Sequence, residues 1–202
     1  MPEQVFYLPD SSVSGGLNRA LIELLSVCFT KPQDEVFRHR RYFHEMPSHR
    51  FLIPASENRG RRPEVFTALA GHLAIHERVI RGDGQDLRCG GVAEVAVAPP
   101  YRGRGFARLL LHRAHAWLEE QGFDFAILFG DPALYRRNGY RIAENRIRYL
   151  DFETGSAREL SLSAGTDPSN GSQAPDEGAF LYRPLSRRSW PSGIIDLQGY
   201  RF

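Results

Sequence analysis

The chain has 202 residues, a size that fits one domain and can bury a sizeable core. Its 26 basic and 24 acidic residues leave a net charge of +2, so charge makes no case for a nucleic-acid partner. Two cysteines far apart, Cys28 and Cys89, argue against a disulfide framework or a zinc site, and no metal is expected. No stretch approaches transmembrane length and no basic-then-apolar leader opens the chain. A soluble, cytoplasmic protein with no membrane partner is therefore the expectation.

Residues 4–8 read as a first strand and 9–16 as a turn-rich connection. From residue 17 to 29, Leu17, Ala20, Leu21, Leu24, Leu25 and Cys28 fall on one face, which predicts a helix. A second helix, basic and aromatic, is expected over 32–46, with Pro32 suited to its first turn. Residues 49–54 read as a strand and 56–63 as a polar, arginine-rich loop. The β-rich run 65–80 turns back at Gly82-Asp83-Gly84 into 86–98, which predicts a long antiparallel pair. His72 and His76 alternate in phase along the first of these strands, a pattern compatible with a structural role or with a site. Cys89-Gly90-Gly91 allows a bulge or bend in the second.

The stretch 92–121 organises the rest. Val92, Ala93, Val95, Ala96, Val97 and Ala98 form an apolar run broken only by Glu94, as in a strand buried on both faces. Pro99 and Pro100 end it, since proline cannot donate to the ladder. Gly103 and Gly105 follow, and then Phe106, Leu109, Leu110, Ala114, Trp117 and Leu118 recur at helical spacing, with Gly122 placed as a C-terminal cap. A glycine turn feeding a helix exposes N–H groups that have no intrahelical acceptor, at the positive end of the helix dipole. With Arg102, Arg104 and Arg108 nearby, this is an anion site suited to a phosphate or pyrophosphate. It lacks the Lys-Ser/Thr of a Walker A loop and the spacing of the dinucleotide fingerprint.

Beyond the helix, 123–129 reads as a buried strand. Gly130-Asp131-Pro132 opens a short helix that Asn138-Gly139 ends, and 140–152 reads as another strand. The Ser-, Gly-, Asp- and Pro-rich segment 161–178 reads as a long surface loop and 179–183 as a strand. The tail 184–202, with Trp190, Ile194 and Ile195, is expected to dock.

The string VAVAPPYRGRGFARLLL resembles the acyl-CoA-binding motif of the GNAT superfamily of N-acetyltransferases, with Arg102, Gly105 and Ala107 at the motif positions. The later stretch ALYRRNGYR resembles a second motif of that superfamily. The resemblance implies an α/β (α+β) fold: a mixed, mostly antiparallel sheet splayed at its centre, helices on both faces, and one domain spanning 1–202. It implies acetyl-CoA as co-substrate. Val95, Ala96 and Val97 would offer main-chain contacts, and Arg102, Gly103, Arg104, Gly105, Phe106 and Ala107 would hold the pyrophosphate. Leu128, Phe129 and Gly130 would line the other side. A backbone N–H such as that of Val97 would stabilise the oxyanion. Tyr135 would protonate the departing thiolate; the alternative is an aromatic packed at a helix end. Glu94 is the candidate base, since burial would raise its proton affinity; the alternative is a strand carboxylate paired with an arginine. Asp34, with Glu35, would meet a cationic substrate or simply neutralise a helix N-terminus.

The tail adds a narrower resemblance. Trp190-Pro191, Gly193, Ile195-Asp196, Gly199 and Phe202 are similar to the C-termini of aminoglycoside 2'-N-acetyltransferases and rhizobial nodulation N-acyltransferases. It implies that Asp176 and the Phe202 carboxylate face substrate. The acidic residue of that subgroup's central strand falls on Ala93 here, one place before Glu94, and its acidic residue near the C-terminus aligns with Tyr200. Three functions stay open: an acetyltransferase for a small amine such as an amino sugar, an acyltransferase using a longer chain, and a non-catalytic acyl-CoA-binding module. A homodimer is also open.

Overall fold

The computed structural model describes residues 4–58, 60–161 and 178–202. The chain divides into two compact units, one of residues 1–76 and 92–117, the other of 77–91 and 118–202. The strands pair into a mixed, mostly antiparallel sheet with helices on both faces, as the sequence led us to expect.

In the first unit, β1 (Phe6–Pro9) pairs antiparallel with β2 (His49–Pro54), and β2 pairs antiparallel with β3 (Leu69–Gly82). β3 runs on into the second unit, where a turn at Asp83 and Gly84, both at positive φ, leads into β4 (Gln85–Val97), whose last residues return to the first unit. Alternation along β2 sorts its side chains to opposite faces. Leu52 joins Leu8, Leu69 and Ala96 against the buried stripe of α1 (Gly15–Cys28), which is made of Leu17, Ala20, Leu21, Leu24 and Leu25. Ser14 starts α1 by accepting the Leu17 N–H, at 3.2 Å. Phe51 faces the other way and meets the edge of Trp117, on α2 (Phe106–Glu120), with ring centroids 6.0 Å apart. On that face Gly71 leaves room for Leu110; a Cβ there would lie 3.1 Å from Leu110 Cδ1.

In the second unit, β4 pairs parallel with β5 (Phe125–Gly130) through Cys89, Gly90 and Gly91. After α3 (Pro132–Tyr135) come β6 (Arg141–Ile142), β7 (Arg146–Leu150), β8 (Ala157–Ser161), β9 (Ala179–Pro184) and β10 (Ile195–Tyr200). β9 lies antiparallel to both β5 and β6, β8 antiparallel to β7, and β10 parallel to β7. The core gathers Ile80, Leu87, Phe125, Ile127, Ile147, Phe180, Ile195 and Leu197. The preceding tail is held by Asn145: its side-chain amide donates to the carbonyls of Pro191 and Gly193, at 3.0 and 2.6 Å, and its Oδ1 accepts the Trp190 N–H at 2.7 Å.

Three expectations need correction. The helix expected over 32–46 is a 3-10 segment, Pro32–Arg38, after which the chain turns because Arg41 and Phe43 are drawn inward to the partners described below. The strand expected over 140–152 is two strands separated at Ala143–Asn145, where Asn145 is committed to the tail. The loop expected over 161–178 loses its first residue, since Ser161 ends a strand, Ala157–Ser161, that pairs with β7. The remainder of the expected loop, 162–177, lies outside the described residues, and so does Asp176. Among the described residues no helix is long and apolar enough to cross a membrane.

Candidate functional site

The turn between β4 and α2 is exposed from Arg102 to Gly105 and becomes buried at Phe106. Gly103 and Gly105 sit at φ of +75° and +79°, where L side chains are strained, and a Cβ on either would meet nothing within 4 Å. The glycines are thus required by backbone conformation, and the space before them is open. The first-turn N–H groups of α2 have no intrahelical acceptor there. Arg102 is partly committed: its Nε donates to the Val97 carbonyl at 3.1 Å, which fastens the turn to the end of β4. The same carbonyl accepts from Cys28 Sγ at 3.4 Å. Arg104 lies over the Tyr101 ring, 5.4 Å from its centroid. Val95 and Val97 are half-buried, whereas Ala96 packs into the α1 core.

Glu94 interrupts β4. Its φ is +53°, a value rare for a residue with a side chain. Its side chain is only 4% exposed, although the residue as a whole is half-buried because its main chain is open. One carboxylate oxygen accepts the Phe43 N–H at 3.1 Å, and the other lies 3.4 Å from Arg50 Nη1. Burial, opposed by Arg50 and by the Phe43 N–H, lifts this carboxyl from 4.5 to about 7.

Arg50 is fully buried and links four groups. Its Nε donates to Asp10 Oδ1 at 2.5 Å, its Nη2 to the Arg41 carbonyl at 2.9 Å, and its Nη1 approaches both Glu94 and His72 Nε2, the latter at 2.9 Å. Because a guanidinium can only donate, His72 Nε2 accepts, and the proton is on Nδ1, 3.1 Å from the Glu94 carbonyl. Burial and then the Arg50 charge hold His72 well below its usual range, so the ring is neutral. Asp10 behaves differently from Glu94. Burial pushes it up, but Arg41, at 2.6 and 3.1 Å, and Arg50 together leave it below the ordinary carboxylate range.

In the second unit, the ring of Tyr135 lies against Gly130, where a Cβ would come within 2.8 Å of it, and meets the edge of Tyr140, with centroids 5.7 Å apart. Burial first, and the nearby Asp131 carboxylate second, raise its phenol, so Tyr135 is neutral and able to donate at neutral pH. The ring of Phe202 covers Gly91, where a Cβ would lie 2.7 Å away, and Arg78 sits over it at 5.6 Å. Asp34 is engaged as a cap, accepting the Lys31 N–H at 3.0 Å, and its neighbour Glu35 pairs with Arg38. Among the described residues no cluster of His, Cys, Asp and Glu is arranged to hold a metal ion.

Residues 16–143 match the family described as an acetyltransferase (GNAT) domain. The chain belongs to the GNAT family. Over 60 residues it is 43% identical to the uncharacterized N-acetyltransferase YhbS of Escherichia coli strain K12, a match that spans 30% of this chain and about a third, 36%, of that protein. The crystal structure of Escherichia coli YhbS in complex with CoA is similar with a TM-score of 0.63 at 19% identity, covering 98% of this chain and 91% of that one. Escherichia coli ElaA is similar with a TM-score of 0.57 at 12% identity, over 90% and 99% of the two chains. At these identities the structural likeness is one of fold.

In this GNAT chain the sequence singled out Glu94 but not Asp10, Arg41 or Arg50, and it noted His72 only for its phase. One signal was present: Arg50 stands in the strand HRFLIP, where an apolar residue would be expected.

Proposed function

We propose that this GNAT protein transfers an acetyl group from acetyl-CoA to a primary amine of a small molecule, with an aminoglycoside-like amino sugar as the class suggested by its tail. The observation that carries the reading is Glu94, a buried carboxyl lifted to about 7 at the irregular point of β4, three residues before Val97. A base of that affinity holds and releases a proton at the pH where it works. The amine nitrogen attacks the thioester carbonyl, forming the C–N bond, and Glu94 takes the proton the nitrogen must lose. The Val97 N–H is the candidate donor to the oxyanion. As the intermediate collapses the C–S bond breaks, and the thiolate takes a proton from an acid, the role proposed for the neutral phenol of Tyr135. The turn from Arg102 to Ala107, with positive φ glycines and open space around them at the start of α2, supports binding of the CoA pyrophosphate. Asp176 and the Phe202 carboxylate remain proposals for the acceptor side.

The test is release of free thiol from acetyl-CoA, and in a parallel arm from a longer acyl-CoA, with a panel of amines. The rate is expected to rise with pH through about 7 and then level off, and Glu94→Gln should lose about 100-fold in turnover together with that rise. Tight CoA binding with no transfer to any amine would favour a binding module instead.

A further inference from the structure

We propose that Asp10 is a positioning residue for Glu94: by engaging Arg50 it keeps the guanidinium from closing on Glu94, and so sets how tightly Glu94 holds a proton. The functional half of this proposal rests on the reading of Glu94 as the base.

The geometry is unequal on the two sides of Arg50. Its Nε to Asp10 contact is 2.5 Å, whereas its Nη1 to Glu94 contact is 3.4 Å, long for a charge-assisted hydrogen bond. Asp10 is itself fixed by Arg41, and Arg41 Nη1 is anchored on Asn18 Oδ1 at 2.9 Å. The remaining edges of Arg50 are taken by the Arg41 carbonyl and by His72 Nε2. The guanidinium is therefore held at Nε by Asp10 and at Nη2 by the Arg41 carbonyl, and its Nη1, the nitrogen that approaches Glu94, sits closer to His72 than to the carboxylate. The charged and titratable groups that face Glu94 are Arg50 on β2, His72 on β3 and Asp10 after β1, with Arg41 behind Asp10. Arg40, from the connecting segment, donates to the Phe43 carbonyl. His72 is neutral, and Arg41, Arg50 and Asp10 together leave one positive charge. The proton on Glu94 thus decides whether the cluster carries +1 or zero.

Removing the Asp10 charge acts twice in one direction. Arg50 becomes free to approach Glu94, and a carboxylate that repels Glu94 disappears; both favour the ionised form of Glu94. Weakening Arg50 acts the other way. A lysine at this position has a single ammonium, which stays with Asp10 and loses the reach to Glu94.

The experiment is a carboxyl-carbon NMR titration of the full chain labelled at glutamate, with the Glu94 resonance assigned by its loss in Glu94→Gln. In Asp10→Asn the Glu94 midpoint should fall by about one pH unit, and the acidic limb of kcat/KM should fall with it. In Arg50→Lys the midpoint should rise. General loosening of the fold would move both variants the same way, so opposite shifts are the signature. A Glu94 midpoint unmoved in both variants, or moved in the same direction by both, would overturn the proposal. If one variant does not fold, the sign of the other decides. Wild-type turnover in Glu94→Gln would remove the base reading while leaving the Asp10 effect on the titration standing. An inactive Glu94→Gln with unmoved midpoints would do the reverse.

Discussion

Glu94→Gln should change how stability depends on pH, whatever the protein catalyses. A carboxyl lifted from 4.5 to about 7 on folding holds its proton more tightly in the native state than in the unfolded chain. Between those two values the native state keeps a proton that the unfolded chain has released. Stability from this group is therefore highest at the acid end, falls as pH rises through the window, and is fully lost above about 7. The full difference is about 3 kcal/mol, most of it between pH 4.5 and about 7. Glutamine does not titrate, yet it keeps an oxygen to accept the Phe43 N–H. Urea unfolding of both proteins at a series of pH values measures the effect, and titrating groups that do not interact with Glu94 cancel in the difference. The variant should gain on the parent by most of that 3 kcal/mol across the window. A difference constant with pH would mean that Glu94 has an ordinary affinity, and the argument from burial would be wrong.

Asn145→Ala should cost about 3 kcal/mol in urea or thermal unfolding, because it leaves the Trp190 N–H and two carbonyls of the tail without their buried partner. Arg102→Ala combined with Gly105→Val should weaken CoA binding about tenfold or more by calorimetry while circular dichroism stays unchanged. A side chain at Gly105 strains a positive φ, but its Cβ meets nothing within 4 Å. Unchanged CoA affinity would remove the turn from the binding site. Tyr135→Phe should lower turnover more than it raises KM for acetyl-CoA; turnover equal to the parent would mean that another group protonates the thiolate.

Local chemistry was readable where it alone decides structure. The bounds of β2 and the turn at Asp83 and Gly84 follow from local pattern and turn residues, and the stripe of α2 follows in part: Phe106, Leu110, Ala114 and Leu118 are buried as helical spacing implies, but so are Leu111 and His115. The errors occur where partners distant in sequence decide. Residues 39–46 carry helical-looking composition, but Arg41 is pulled to Asp10 and Asn18 and Phe43 gives its N–H to Glu94, 51 residues away. β10 was foreseen only as a docked tail, since its pairing with β7 joins segments that no local pattern connects. The same limit applies to the site. Glu94 as a base and Glu94 as a strand carboxylate paired with an arginine were alternatives in the sequence; the structure shows Arg50 at 3.4 Å from a carboxyl that burial raises, and the base role is a proposal. Arg50 is shared, and how a guanidinium is shared depends on three-dimensional placement.

The strain at Glu94 also becomes intelligible through that placement. A positive φ on a residue with a side chain costs about 1–3 kcal/mol and persists only where surroundings over-determine it. Here the residue is held at both ends: His72 Nδ1 donates to its carbonyl and Phe43 donates to its carboxylate. Beyond it the Ala98 N–H returns to the Ala70 carbonyl at 3.0 Å, so the irregularity is confined to a few residues. An unstrained strand would put a residue's main chain and side chain under the same cover. At Glu94 the two differ: the carboxyl is buried, which raises its proton affinity, while the residue as a whole is only half-buried. Arg50 contacts His72 and, through its long edge, the carboxyl itself. The shape of the strand and the charge state of its acid therefore depend on the same few side chains, and a substitution at Arg50 would be expected to disturb both together.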